Sequence, residues 1–76
     1  MNNVIVYSKN NCMQCKMTKR FLTEHNVAFE ERNINQNPEY VTYLKEQGFQ
    51  SLPVVEAAGH KAFFGFRPDQ LQQIAG

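Results

Sequence analysis

Val4-Ile5-Val6-Tyr7-Ser8-Lys9-Asn10-Asn11-Cys12-Met13-Gln14-Cys15-Lys16 is the stretch whose reading decides the fold. Residues 4–7 are β-branched or aromatic and read as a strand buried on both faces. Ser8 to Asn11 is polar and suits a loop or helix cap. From Cys12 to about His25, Met13, Met17, Phe21 and Leu22 recur at helical spacing, while Lys16, Lys19 and Glu24 fill the other face. That spacing assigns Met17, Phe21 and Leu22 to the core. His25 in the last turn complements the negative end of the helix dipole, with Asn26 beyond it. A strand, a short polar loop and a helix thus carry a C-x-x-C pair to the amino end of the helix.

Outward from there, residues 27–34 read as a second strand. Asn37-Pro38-Glu39 is a helix start with Asn at the cap, Pro at the first helical position and an acid next. Val41 and Leu44, beside Tyr40 and Tyr43, form the apolar stripe; Gly48 ends the helix and Phe49 packs back on it. Residues 54–56 and 61–64 are short strands joined through a hairpin that Gly59 permits. Pro68-Asp69 opens a last helix with Leu71, Ile74 and Ala75 on its apolar face. The order is β-α-β-α-β-β-α. Its first unit demands a crossover and a parallel pair, and the later hairpin is antiparallel. The expected architecture is α/β, a four-stranded mixed sheet flanked by three helices on both faces.

Seventy-six residues support one thin core, so a single domain spanning 1–76 is expected, with no site built between two lobes. A 42% hydrophobic and 20% charged composition argues against disorder. Eight basic residues against seven acidic ones leave +1, too balanced for a nucleic-acid binder. No apolar run approaches a membrane span of roughly 20 residues, and no secretory signal is visible at the start. A cytoplasmic monomer without nucleic-acid or membrane partners is the expectation.

Cys12 and Cys15 are the only cysteines. A cytosolic C-x-x-C beside a βαβ pattern points to thiol–disulfide exchange. The helix amino end carries about half a positive charge, which draws a thiol from about 8.5 toward 7 or below. Lys9, Lys16, Lys19 and Arg20 add positive charge before the first acid, Glu24. Cys12, first and facing out, is assigned the attacking role. Cys15, almost a turn later, is assigned the resolving role, releasing the reduced substrate from the mixed disulfide. A structural staple is the weaker reading, because a ring of about four residues contributes roughly 2 kcal/mol and a cytosolic protein would not keep it oxidised. Zinc wants four ligands; only His25 and His60 could join the cysteines, and they lack the spacing. The first strand offers Val4, Ile5 and Val6, none ionisable, so no buried acid there can take the proton of the resolving thiol.

Taken together, Val4-Ile5-Val6-Tyr7-Ser8, Cys12-Met13-Gln14-Cys15-Lys16, Gly48-Phe49, Leu52-Pro53-Val54-Val55 and Gly65-Phe66-Arg67-Pro68 make the whole chain resemble the thioredoxin superfamily, specifically the glutaredoxin-like NrdH redoxins. Dithiol glutaredoxins carry a Pro-containing active-site pair and a Gly-Gly-x-Asp-Asp-like segment that holds glutathione. Here Met13-Gln14 and Gly65-Phe66-Arg67-Pro68 stand in those places. Thioredoxins proper have a Trp before the first cysteine; this chain has Asn11 there and no Trp at all. One departure from the family is Phe63-Phe64, where members often have Trp-Ser, so a hydrogen-bond network through that pair cannot form.

The resemblance implies a thioredoxin-like fold and a dithiol–disulfide oxidoreductase that donates electrons to the large subunit of a class Ib ribonucleotide reductase. Thioredoxin reductase would in turn reduce it with NADPH, and it would need no cofactor beyond its own Cys12–Cys15 disulfide and no metal. It also implies a cis Leu52–Pro53 bond whose backbone pairs with the substrate chain like an added strand. Substrate-protein contacts are expected at Met13, Gln14, Leu52, Pro53, Gly65, Phe66 and Arg67. Met13 at the helix tip suits an adaptable docking contact. Phe63, Phe64 and Phe66 cannot all point inward from a strand of alternating faces, so one of Phe64 or Phe66 should be exposed. Arg67 serves the loop before the last helix or meets an acidic partner, with the structural role weighted higher. A glutathione-dependent dithiol glutaredoxin is the alternative function, and a metal- or cluster-binding C-x-x-C module the more distant one.

Overall fold

β1 (Val4–Ser8) is the strand around which the sheet is built. In a computed structural model describing residues 3–76, it pairs in parallel with β2 (Glu30–Asn33) and antiparallel with β3 (Val54–Ala57). The antiparallel β4 (Phe63–Phe64) then extends the sheet to the order β2-β1-β3-β4. Met1 and Asn2, part of the expected 1–76 span, lie outside the described residues. The helices are α1 (Met13–Glu24), α2 (Glu39–Glu46) and α3 (Pro68–Ala75), so the element order and mixed sheet are those expected. Among the described residues no helix is long and apolar enough to cross a membrane.

Alternation along β1 divides the core in two. Val4 and Val6 join Val55, Leu22 and Leu71 on the face covered by α1 and α3. Tyr7 joins Val54 and Leu44 on the face covered by α2, with Ile5, Ile34, Tyr40 and Phe49 packed around them. Burial of a Leu or Val side chain contributes about 1.5–3 kcal/mol, so these two small clusters supply most of the packing. The Tyr7 ring is buried, and its hydroxyl donates to Glu56 Oε1 at 3.2 Å while accepting from Arg32 at 3.1 Å. Tyr43 also donates to Glu56, tying α2 to β3.

Several boundaries differ from the sequence reading. Met17 is 40% exposed rather than in the core, and the buried face of α1 is Cys15, Thr18 and Leu22. At 100° per residue, Met17 lies on the side of the helix away from Cys15, and the small Thr18 takes the inward position. Phe21 is half-buried, stacked on the His25 ring at 4.0 Å. α1 begins at Met13, with Cys12 as its cap. α2 begins at Glu39 after Pro38, and Asn37 serves through its carbonyl, accepting from the Tyr40 N–H, rather than through its side chain. β2 is four residues where residues 27–34 were expected, and β4 is two, because β1 and β3 pair with no more of them. Gly48 (φ 90°) does end α2, and the Phe49 N–H returns to the Leu44 carbonyl at 2.9 Å.

Candidate active site

Cys12 ends the loop after β1 in an extended conformation (φ −113°, ψ 107°), and its sulfur accepts the Cys15 N–H at 3.2 Å. A cysteine here does what Ser or Asp usually does at a helix start, taking one of the orphan N–H groups. Asn11 before it adopts φ 58°, a left-handed turn that Asn tolerates, and this swings the chain into the helix. The two cysteines form a disulfide. Both cysteines are buried, Cys12 at 8% exposure and Cys15 at 1%, so Cys12 is the more accessible of the two. No acid occupies the first turn of α1, while Lys9 and Lys16 beside it are exposed. This disulfide at a positive helix end, with Cys12 the less buried of its two residues, fits reversible two-electron exchange.

The loop is braced from β2. Asn10 N–H donates to Asn35 Oδ1 at 2.7 Å, Asn33 Nδ2 donates to Asn10 Oδ1 at 3.1 Å, and Asn33 Oδ1 accepts from the Asn35 and Gln36 amides. Ser8, fully buried at the end of β1, donates to Glu31 at 2.6 Å, and Lys19 donates to the same oxygen at 2.7 Å. Lys19 first, then Ser8, hold the Glu31 carboxyl below its usual range. Apart from the local turn of Asn33 with the Asn35 and Gln36 amides, none of these pairs was legible in the sequence, since their members are 12–25 positions apart and no local pattern links them.

On the opposite side, the Leu52–Pro53 bond is cis. The Pro53 carbonyl accepts the Gly65 N–H at 2.8 Å, and Gln14 Oε1 accepts the Phe66 N–H at 3.2 Å. Gly65 has φ 83°, a conformation that favours glycine, and a β-carbon there would stand 3.5 Å from Gln14 Oε1. The Arg67 guanidinium donates to the Phe64 carbonyl at 3.0 Å and lies 5.5 Å above the Phe64 ring. The segment is therefore held by its own backbone and by Gln14, without Trp or Ser. Phe64 is 44% exposed and Phe66 packs on the core, so Phe64 is the outward member of the pair.

The structure thus joins Gln14, Pro53, Gly65 and Phe66 by hydrogen bonds beside the disulfide. A cleft of about 500 Å³ runs between Lys9, Gln14, Leu52 and Phe64 and adjoins an apolar groove lined by Ile34, Val41, Leu44 and Phe49. Met13 projects at the helix tip, 69% exposed. Arg67 turns toward Phe64 instead. Among the described residues, no three His, Cys, Asp or Glu side chains gather as metal ligands; His25 instead donates from Nδ1 to the Phe21 carbonyl at 2.8 Å.

Residues 4–61 match the glutaredoxin family model. The glutaredoxin-like protein NrdH of Lactococcus lactis subsp. lactis is 53% identical over 72 residues, covering 95% of this chain and 99% of its own length. The NrdH protein of Escherichia coli K12 is 39% identical over 71 residues, 93% of this chain and 86% of that one. The solved structure of E. coli NrdH-redoxin, described as the structural basis for its thioredoxin-like activity profile, superposes with a TM-score of 0.87 over 93% of this chain and 92% of that one.

Proposed function

This chain belongs to the glutaredoxin family, in the company of its NrdH proteins, and from that premise we propose that it is a thioredoxin-like electron carrier acting on protein disulfides. It has the thioredoxin-like fold and the Cys12–Cys15 pair of a thiol–disulfide oxidoreductase. In the proposed cycle the Cys12 thiolate attacks a sulfur of the target disulfide. One target thiolate leaves, and a mixed disulfide remains. Cys15 then loses its proton to water or to that thiolate, and its sulfur attacks Cys12 Sγ. The mixed disulfide breaks, the second target thiol departs, and two electrons have moved from carrier to target. The redox pair is the only cofactor the reading needs.

The observation that carries it is the Cys12 cap: the attacking sulfur sits where a helix amide already donates to it. The preference for a thioredoxin-like partner over glutathione rests on residues 65–67. The Phe66 amide is engaged by Gln14 and the Gly65 amide by Pro53, and the E. coli relative is described as thioredoxin-like in activity. The terminal acceptor in this reading is the large subunit of a class Ib ribonucleotide reductase, and the electron source is thioredoxin reductase with NADPH. The chain would work as a cytoplasmic monomer, with Met13, Gln14, Leu52, Pro53, Gly65 and Phe66 forming the surface that meets the partner.

A coupled assay tests this. NADPH consumption with thioredoxin reductase, this protein and a class Ib ribonucleotide reductase should depend on all three proteins. Efficient reduction by glutathione, with none by the reductase, would instead make the chain a glutathione-dependent glutaredoxin.

A further inference from the structure

Beside the disulfide lies another cleft, of about 410 Å³, that touches both Cys12 and Cys15 and is not lined by Leu52 or Pro53. Lys9, Lys16 and Lys19 line it together with three asparagines, and no acidic side chain does. This is not a consequence of overall charge, because the protein carries seven acids and a net charge of only +1. Lys19 has a carboxylate partner, Glu31, whereas Lys9 and Lys16 form no salt bridge among the described residues. Lys9 also lines the cleft by Gln14, Leu52 and Phe64, so this one ammonium borders both clefts. Asn10 and Asn33 are partly spent on each other, which leaves the lysines as the main recognition groups.

We infer that this cleft receives an acidic segment of the protein whose disulfide is being reduced, with Asp or Glu within two or three residues of the attacked cysteine. An extended chain passing over Cys12 advances about 3.3 Å per residue, so such a side chain reaches the cleft while its cysteine stays over the sulfur. The inference rests on the reading of the protein as a disulfide reductant and adds the chemistry of the partner. Exposed ion pairs are individually weak, each contributing roughly 1.5- to 5-fold in affinity, so two lysines should give about tenfold. Complementary charge also speeds encounter and is screened by salt.

The test uses the reduced full chain with three oxidised substrates: a cyclic disulfide peptide flanked by Glu, the same peptide flanked by Lys, and neutral hydroxyethyl disulfide. At low ionic strength the Glu-flanked peptide should react about tenfold faster than the Lys-flanked one, and the gap should close in 1 M salt. Because Lys9 and Lys16 also act on the cysteine itself, variants are read as the ratio of acidic-peptide to neutral-disulfide rate. Lys9→Gln and Lys16→Gln should each lower that ratio and together collapse it, while Lys61→Gln, a charge change equal to either single one, should preserve it. Equal rates for the two peptides at low salt, or a preference that survives 1 M salt, would overturn the inference and leave the redox reading standing. Failure to reduce even the neutral disulfide would overturn both.

Discussion

The Cys15 amide donates to the Cys12 sulfur at 3.2 Å, so the residue that caps α1 is also the residue placed to react. An ionised sulfur accepts such a bond more strongly than a neutral one, and the same helix end holds the resolving sulfur one turn inward. Helix formation and thiolate stabilisation are therefore one interaction.

Removing each sulfur should give a different outcome. Cys12→Ser should abolish exchange, while Cys15→Ser should accumulate a mixed disulfide with the target, visible as an adduct in intact mass. A Cys15→Ser variant that fails to make the first attack would reverse the assigned roles.

Gln14 is expected to act by position. Its carbonyl holds the Phe66 amide across the active-site cleft, a hydrogen bond worth about 0.5–1.5 kcal/mol at most, less where exposed. Gln14→Leu should speed hydrogen exchange at Phe66 and raise KM for the protein partner two- to fivefold with little change in kcat. Gln14→Glu, which keeps an acceptor, should restore most of both. An unchanged Phe66 exchange rate in Gln14→Leu would remove this role.

Core and surface on α1 should separate cleanly. Leu22 is fully buried between the sheet and α3, so Leu22→Ala should cost about 2–5 kcal/mol in denaturant unfolding. Met17→Ala, on the exposed face, should stay within about 0.5 kcal/mol.

Acid should weaken the brace beneath the loop. Glu31 has its carboxyl held below the ordinary 4.5 by Lys19 and Ser8. A carboxylate with a depressed folded pKa contributes stability that is present above its unfolded pKa and vanishes as pH falls through the folded one. Wild-type stability should therefore drop below about pH 4.5 more steeply than that of Glu31→Gln; parallel pH profiles would show that the pair contributes nothing.

Much of this was legible in the sequence because the decisive signals are local. The β-branched run at 4–7, the C-x-x-C at a loop–helix junction and the Pro38 and Pro68 helix starts each depend on a few neighbouring residues. Strand alternation alone would put Phe64 and Phe66, two positions apart, on one face; they part because β4 ends at Phe64 and Gly65 (φ 83°) turns the chain, leaving Phe64 outward and Phe66 on the core. What stayed hidden was non-local or small. Met17 read as core because it is apolar, yet helix rotation gave the inward place to Thr18, a residue that hydropathy passes over. Asn10, Asn33 and Asn35 looked like ordinary loop residues until β1 and β2 paired and brought them together. Gln14 and Phe66 lie 52 positions apart, and only the assembled sheet sets them face to face.

The most direct measurement is the pH dependence of Cys12 alkylation in the reduced protein. A midpoint clearly below the free-cysteine value of about 8.5, moving upward when the helix amino end is disrupted, is the result expected if the α1 amides stabilise the thiolate. A midpoint at or above the free value would contradict the account.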